Sequence, residues 1–159
     1  MDLGIERREL ELERALAIEL TTSADNFEAD LSAAFGRLDE ALTEAGAVFA
    51  GPGICAHPKR KTLPGRIAAV VAIPFEGELE PEAGMKVLEF GGGSGLVGVL
   101  RGPYEQLPQA WAELNGSLAK DERPRSKTVP YDRFLRSMVN VVNSDELITE
   151  LVIDRKSVV

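Results

Sequence analysis

The two halves of this chain carry apolar residues in the same order, displaced by 80 positions. Pro52 in the first half corresponds to Pro130 at a displacement of 78, so one loop is two residues shorter and the next is two residues longer. Because 44% of the residues are hydrophobic, some matches arise by chance, but the order of the predicted elements repeats as well. The pattern therefore predicts a duplicated fold of two similar modules. The matching pairs are Leu20 with Leu100, Phe27 with Leu107, Leu31 with Trp111, Ala34 with Leu114, Leu38 with Leu118, Ile67 with Leu147, Val71 with Leu151 and Ile73 with Ile153.

The first half reads as a strand, a helix and two further strands. Leucine and isoleucine recur at even spacing from Leu10 to Leu20 with charged residues between many of them, which is typical of a half-buried strand. Asp25 and Glu28 form a variant of the capping box, so a helix is predicted to begin there and to end at Gly46. The two later strands are predicted at about residues 53–57 and 66–73. The apolar residues on one face of the helix are Phe27, Leu31, Ala34, Phe35, Leu38 and Leu42.

The second half opens with an additional strand and then repeats that order. Its glycine cluster, Gly91–Gly95, invites comparison with a phosphate-binding loop, but such a loop leads into a helix, and here a strand is predicted next. The cluster therefore predicts a hairpin turn. Gly102-Pro103 then breaks the chain before the second helix. That helix has Leu107, Trp111, Leu114 and Leu118 on one face, and strands are predicted at residues 85–90, 96–101, 128–135 and 146–153.

Together these elements predict an α+β fold in a single domain that spans residues 1–159. Repeat 1 covers about residues 5–75, and repeat 2 covers about residues 85–155. The segment Phe75–Gly84, which is rich in Pro, Glu and Gly, joins the two halves. We interpret it as a linker within one domain, because neither half alone offers a large core.

Charge and composition disfavour several classes of protein. The formal net charge of -8 argues against a nucleic-acid surface, which needs clustered Lys and Arg. The densest basic stretch, Lys59-Arg60-Lys61, is interpreted as a solvated turn. The single cysteine, Cys55, has no partner for an internal disulfide. The N-terminus carries Glu and Arg in place of an apolar signal, and no apolar run is long enough to span a membrane, so we expect a cytoplasmic protein.

Three motifs stand out in the second half. They are the turn Gly102-Pro103-Tyr104 with Trp111 in the following helix, the strand from Pro130 to Phe134 with its acid and its aromatic residue, and Thr149-Glu150-Leu151 in the last strand. These motifs resemble those of the GyrI-like small-molecule-binding domains, a family that includes gyrase-inhibitory proteins and the effector-binding modules of AraC-type and MerR-type regulators. The resemblance covers nearly the whole chain if the first half is the duplicated partner of the second.

The resemblance implies two strand-helix-strand-strand modules related by a pseudo-twofold axis, in an antiparallel sheet with two helices and a central ligand cleft between the modules. In that family the acid of the penultimate strand is usually Glu, and the aromatic residue two positions later is usually Tyr. This chain has Asp132 and Phe134 at those positions. The shorter acid would lie deeper, and Phe lacks a hydroxyl that could donate to a ligand. The ligand choice of other members therefore does not transfer directly.

Asp132 and Phe134 are two residues apart in a predicted strand, so they share one face. A carboxylate beside aromatic rings in a partly dry cleft can hold a cation, because desolvation strengthens the ion pair and the ring faces add to it. The ligand is therefore predicted to be a small organic molecule that is cationic or aromatic, with Asp132 selecting the charge. The equivalent position in the first half is Ile54, so the fold does not need an acid there. A surface carboxylate paired with Arg133 or Arg136 is the alternative.

Trp111, Tyr104 and Glu150 complete the predicted ligand-binding residues. Trp111 can equally be part of the core, and Tyr104 can simply pack the turn. For Glu150, whose equivalent in the first half is Val70, a salt bridge within the sheet or a place at a solvated edge is preferred over a ligand contact. His57, the single histidine, has no visible Cys or Asp partner, so neither a catalytic role nor a metal nor a cofactor is predicted.

Small-molecule binding is favoured over two alternative functions. Some stand-alone members of the family are hydrolases with a Tyr and a Glu in the cleft, and here Tyr104 or Tyr131 could act with either acid. The Phe at position 134 weakens that hypothesis. The second alternative is a protein-interaction module of the gyrase-inhibitor type, which would use the acidic surface. No helix-turn-helix segment is found before or after the repeats, so direct contact with nucleic acid is not expected. Contact with a membrane is not expected either, because the sequence has no long apolar run.

Overall fold

The computed structural model describes residues 3–58, 62–119, 130–137 and 143–154. The basic stretch Lys59-Arg60-Lys61 lies outside the described residues, as do the first two residues of the strand that was predicted at 128–135. The elements that follow are therefore those of the described ranges.

The chain divides into two compact units. Unit 1 comprises Met1–Glu11 together with Gly91–Val159, and unit 2 comprises Leu12–Phe90. The predicted α+β class is confirmed. In chain order, the described residues form β1 (Leu3–Glu9), β2 (Glu13–Thr22), α1 (Phe27–Glu44), β3 (Val48–Phe49), β4 (Gly53–Ala56), β5 (Ile67–Glu76), β6 (Met85–Phe90), β7 (Ser94–Arg101), a 3-10 turn (Tyr104–Gln106), α2 (Leu107–Ala119), β8 (Tyr131–Arg136), a second 3-10 turn (Ser144–Glu146) and β9 (Ile148–Asp154).

Unit 2 contains antiparallel strands in the order β4-β5-β2-β6, and the short β3 pairs with the end of β5. Helix α1 covers one face of these strands. Its Leu38 and Leu42 share a buried cluster with Leu16 of β2 and Val71 of β5. Removing a leucine or valine side chain from water stabilises a fold by about 1.5–3 kcal/mol. The apolar stripe predicted for the helix therefore forms the core of this unit.

Unit 1 contains antiparallel strands in the order β1-β7-β9-β8. Helix α2 packs on one face through Ala110 and Leu114, which share a buried cluster with Leu100 of β7 and Leu151 of β9. Successive residues of a strand point to opposite faces of a sheet. Because Leu151 contacts this cluster, every second residue of β9 counted from Leu151 faces α2. The residues of β8 that pair with these positions face α2 as well.

Helix α1 begins close to its predicted start, but the predicted capping box does not form. The N-cap is Asn26, which makes no side-chain cap hydrogen bond, and the Asn26 N–H is instead accepted by the Ser23 hydroxyl at 3.3 Å. Gly46 follows the helix with a φ of 71°, as predicted for a C-terminal glycine. Among the described residues, no helix is both long and apolar enough to cross a membrane.

Gly91 and Gly92 adopt φ values of 78° and 86°, as expected for the glycine cluster, but the predicted hairpin is wrong. Strand β6 pairs with β2, whereas β7 pairs with β1 and β9. The cluster instead contacts the segment between β1 and β2: Leu10 N–H donates to the Gly93 carbonyl at 2.7 Å, and Gly92 N–H donates to the Leu10 carbonyl at 3.0 Å. That segment also takes up the first three residues of the strand that was predicted from Leu10 to Leu20, so β2 begins at Glu13.

The displacement of 80 residues also relates the strand pairs. Leu16 lies opposite Ile73 between β2 and β5, and Leu96 lies opposite Ile153 between β7 and β9. The pairing of β6 with β2 corresponds in the same way to the pairing of β1 with β7. These registers support the predicted duplication, which remains a prediction.

Candidate functional site

Four of the predicted ligand-binding residues lie together in unit 1, and we call Tyr104, Trp111, Asp132 and Phe134 the acid–aromatic cluster. Asp132 on β8 lies opposite Leu151 on β9, and Leu151 packs in the core beside α2. Directly opposed side chains in a sheet point to the same face. Asp132 therefore faces α2, and Phe134, two residues further along the strand, does so as well.

The Asp132 carboxylate is buried, with only 3% of the residue exposed. Trp111 of α2 donates its indole Nε1–H to Asp132 Oδ1 at 2.8 Å. This hydrogen bond offsets part of the cost of removing the carboxylate from water, and it orients the indole ring. Asp132 is thus not a surface carboxylate, and Trp111 both packs against the core and holds the acid.

Tyr104 and Phe134 form an aromatic pair with ring centroids 5.8 Å apart and planes at 71°. Edge-to-face pairs of this kind contribute about 0.5–1.5 kcal/mol beyond the area they bury. Both residues are half-buried. The turn that carries Tyr104 is anchored by Gly102, whose N–H donates to the Leu147 carbonyl at 2.9 Å and whose φ of 138° favours glycine. A partly exposed aromatic surface therefore lies on the strand that carries the buried acid.

Glu150 lies on the opposite face of the same strands. It precedes Leu151 in β9, so its side chain points away from α2. Its carboxylate is buried, and each oxygen binds an arginine: Arg8 of β1 donates to Oε2 at 2.5 Å, and Arg133 of β8 donates to Oε1. This is a salt bridge within the sheet, the interpretation that the sequence favoured. Arg133 points to the same face as Glu150, because adjacent residues of β8 alternate in direction and Asp132 faces α2.

Arg8 joins this network to a second, more exposed acid. Its Nε and Nη2 both donate to Glu6 Oε1, at 3.0 and 2.7 Å. Burial alone would lower the pKa of Arg8, but the hydrogen bonds and charges of Glu150 and Glu6 outweigh burial and raise that pKa above its ordinary value. The guanidinium is therefore cationic throughout the physiological range, and it compensates the charge of Glu150 within the protein.

The strand register corrects one assignment made from the sequence. Asp132 lies opposite Leu151, and Cys55 lies opposite Val71, which is the position that matches Leu151 at a displacement of 80. Under the predicted duplication, the strand register therefore makes Cys55, and not Ile54, the equivalent of Asp132. Cys55 is buried, and a thiol at this position again means that no carboxylate is present.

The sequence did not identify Arg8 as a partner of Glu150, because β1 was not predicted as a strand. The residues of β1 are mostly exposed and charged, so they lack the alternation that marks a half-buried strand. The repeat offered a signal nevertheless. The additional strand predicted at residues 85–90, moved by 80 positions, falls on residues 5–10, which overlap β1.

Unit 2 has an open groove of about 460 Å³, lined by Arg14 and residues 78–80. None of the predicted site residues lies there. The Arg14 guanidinium lies over the Phe75 ring, 4.4 Å from its centroid, and donates to the Gly77 carbonyl. The described residues also contain no group of three or more His, Cys, Asp or Glu side chains that could hold a metal ion. We therefore place the candidate site at the acid–aromatic cluster.

Comparison with known proteins gives one family match. A sequence model of the GyrI-like small molecule binding domain matches residues 5–154. No curated protein matches the sequence. The C-terminal domain of EcmrR has a similar structure, with a TM-score of 0.78 at 12% identity over 99% of this chain and 98% of that chain. In the EcmrR–DNA complex the TM-score is 0.81 at 11% identity, and this chain spans 58% of that longer EcmrR chain.

Two further solved structures are similar in fold. A hydrolase from Listeria innocua has a TM-score of 0.61 at 10% identity, over 94% of this chain and 90% of that chain. SAV2435 bound to tetraphenylphosphonium has a TM-score of 0.58 at 13% identity, over 96% of this chain and 93% of that chain. At these identities the structural likeness establishes the fold, whereas the family match covers nearly the whole sequence.

Proposed function

Since the chain belongs to the GyrI-like small-molecule-binding family, we propose that it binds a small organic molecule of cationic or aromatic character at the acid–aromatic cluster. One observation carries the proposal: the Asp132 carboxylate is buried, is held by the Trp111 indole N–H, and shares its strand face with the Phe134 ring. The proposed location is the cytoplasm, in keeping with a sequence whose single cysteine, Cys55, has no second cysteine for an internal disulfide.

A cationic ligand suits this arrangement for two physical reasons. A carboxylate that is shielded from water attracts a cation more strongly than a hydrated carboxylate does. The faces of Tyr104 and Phe134 add a cation–π attraction of about 0.5–2 kcal/mol. Glu150 does not compete for the ligand, because its two oxygens bind arginines on the other face. The solved complex of SAV2435 with tetraphenylphosphonium, a bulky aromatic cation, supports this ligand class.

Calorimetric titration with tetraphenylphosphonium tests the proposal. Asp132→Asn keeps the size of the side chain and an oxygen that can accept from Trp111, but it removes the charge. We expect this variant to weaken binding by roughly 1–3 kcal/mol, because it removes the attraction between two unit charges in a partly shielded site. Asp145→Asn is the matched control, since Asp145 is an exposed acid of the same unit. It should leave the affinity unchanged.

A neutral aromatic probe such as naphthalene separates charge from shape. Its binding should differ little between the wild type and Asp132→Asn, because no ion pair is lost. Thermal unfolding of both variants shows whether either substitution damages the fold. Equal affinity of Asp132→Asn and wild type for the cation would contradict the proposed role of Asp132, and loss of folding would make that residue structural.

A hydrolytic function is the alternative that two observations favour. The Tyr104 hydroxyl belongs to the same cluster as Asp132, and a hydrolase from Listeria innocua has a similar fold. In that case the phenol and the carboxylate would act as the acid–base pair. We expect binding without turnover, because Phe134 stands where the family usually has Tyr. Turnover of an aromatic ester that is abolished in Tyr104→Phe would reverse this choice.

A further inference from the structure

The Thr149 hydroxyl in β9 is fully buried, and no hydrogen-bond partner for its Oγ1 lies among the described residues. An unpaired buried hydroxyl of this kind destabilises the folded protein, because it has lost its hydrogen bonds to water and gained none in return. Native structures contain few such groups, and each one calls for a physical explanation. Strand geometry does not supply it, because valine has nearly the same shape and suits a strand equally well.

Thr149 is part of the same site as the acid–aromatic cluster. It lies directly opposite Phe134 on β8 and opposite Leu100 on β7. It is two residues from Leu151, so it faces α2 as Asp132 does. Thr149 and Asp132 are diagonal neighbours across the β8–β9 pair, a relation that places Cα atoms about 7–8 Å apart. One region of the sheet therefore carries a buried acid, a ring pair and an unpaired hydroxyl.

The ring pair is half-buried, whereas the strand beside it is held on both edges. Strand β9 is paired on both edges, with β7 and with β8, so the backbone at Thr149 is held in place. Tyr104 and Phe134 are half-buried, and their side chains can rotate without breaking a strand hydrogen bond. A ligand ring that packs on Phe134 in place of Tyr104 would gain a comparable aromatic contact, and it would lie on the residue directly opposite Thr149.

We propose that Thr149 Oγ1 is a hydrogen-bonding group of the ligand site, and that the ligand is an aromatic cation which also carries a hydroxyl, carbonyl or ether oxygen. This inference rests on the proposed function and adds a second polar contact to it. Asp132 binds the charge, and Thr149 binds the oxygen. A threonine hydroxyl both donates and accepts, so it can pair with any of these oxygens. Tetraphenylphosphonium has no oxygen and leaves Thr149 unpaired.

The test compares tetraphenylphosphonium with the three isomers of (hydroxyphenyl)triphenylphosphonium, which differ only in where one hydroxyl is attached. In the wild type, at least one isomer should bind about three- to tenfold more tightly than the parent cation, the range for one neutral hydrogen bond. Thr149→Val removes the hydroxyl and keeps the shape, so the preference should disappear while the affinity for the parent stays the same. Thr149→Ser keeps the hydroxyl and should keep the preference.

Thermal unfolding without ligand supplies a second readout. Because the hydroxyl has no internal partner, Thr149→Val should unfold at the same temperature as the wild type or at a higher one. A melting temperature several degrees lower would mean that the hydroxyl is used within the protein, and it would overturn the inference. So would a preference that persists in Thr149→Val, or equal binding of all four cations by the wild type. Failure of the wild type to bind any of them would instead reject the proposed function, and the inference with it.

Discussion

Glu150 is a buried acid in a strand whose neighbouring positions are largely apolar. Moving a carboxylate out of water costs several kcal/mol, which a close and well-oriented counter-charge can offset. Two guanidinium groups provide this, one from each side, while the side chains of Arg8 and Arg133 stay 34% and 22% exposed. The arginines therefore keep part of their hydration. The network depends on the acid, because without it the two cations would lie close to each other.

Glu150→Gln should lower the free energy of unfolding by roughly 2–4 kcal/mol, somewhat below the range for breaking a fully buried pair, since both arginines are partly hydrated. Urea-induced unfolding measures the change. Glu6→Gln is the control: Glu6 also binds Arg8, but its side chain is 58% exposed, so its loss should cost less than about 1 kcal/mol. Equal effects of the two substitutions would mean that burial of Glu150 contributes nothing to the pair.

The pH dependence of this network follows from Arg8. Its pKa is raised in the folded protein, so the stability it contributes is complete at every pH below the ordinary arginine pKa. That contribution is lost only when the pH rises through the raised value, far above the physiological range. Between neutral and mildly alkaline pH, Arg8 therefore leaves the stability of unit 1 unchanged.

The connection from β6 to β7 needs glycine for steric reasons. Gly91 has a φ of 78°, and a Cβ added there would clash with the Glu11 carbonyl oxygen. That oxygen belongs to the backbone, which is held by the hydrogen bonds between Leu10 and the glycine segment. The neighbour therefore cannot move aside as a flexible side chain would. The two connecting segments constrain each other, so a change in one affects both.

Gly91→Ala should destabilise the protein by about 2 kcal/mol or more, because it combines an unfavourable φ with a backbone clash. Gly36→Ala provides a control of opposite sign. Gly36 lies inside α1 at an exposed position where an added Cβ meets nothing within 4 Å, so alanine should stabilise the helix by roughly 0.5–1 kcal/mol. Melting temperatures of the two variants should move in opposite directions. A melting temperature of Gly91→Ala above that of the wild type would contradict the steric argument.

Unit 1 is assembled from both ends of the chain. Strand β1 lies at the start of the sequence, yet it forms the edge of the C-terminal unit by pairing with β7 from Leu3 opposite Leu100 to Glu9 opposite Ser94. It also supplies the Arg8 that compensates Glu150. The N-terminal residues are therefore structural for the unit that contains the candidate site, although they are mostly exposed.

Deletion of residues 3–9 should destabilise unit 1, because β7 loses a strand partner and Glu150 loses Arg8. Hydrogen exchange measures this directly. Amides of β7 that donate to β1 should lose protection, whereas amides of β5 should keep it, since β5 pairs with β2 and β4 within unit 2. Unchanged protection in β7 would contradict the pairing.

Much of the local structure was predictable. The strand at 85–90, the strand near 96–101, the helices that begin near Phe27 and Leu107, and the positive φ of Gly91 all follow from patterns within a few residues. The shared face of Asp132 and Phe134 follows from strand alternation in the same way. The predictions of a capping box at Asp25 and of a hairpin at the glycine cluster were wrong, because each feature depends on the path of the adjoining backbone.

The sequence by itself determined the class of elements, their order and the acid–aromatic composition of one strand and helix, because periodicity and backbone preference are properties of neighbouring residues. Only the tertiary structure decided which face each acid occupies and what it binds. Arg8 and Glu150 are separated by 142 positions, and the Trp111 indole reaches Asp132 from another element. Burial and pairing of a charge depend on which strands become neighbours, and that is set by the packing of the whole unit.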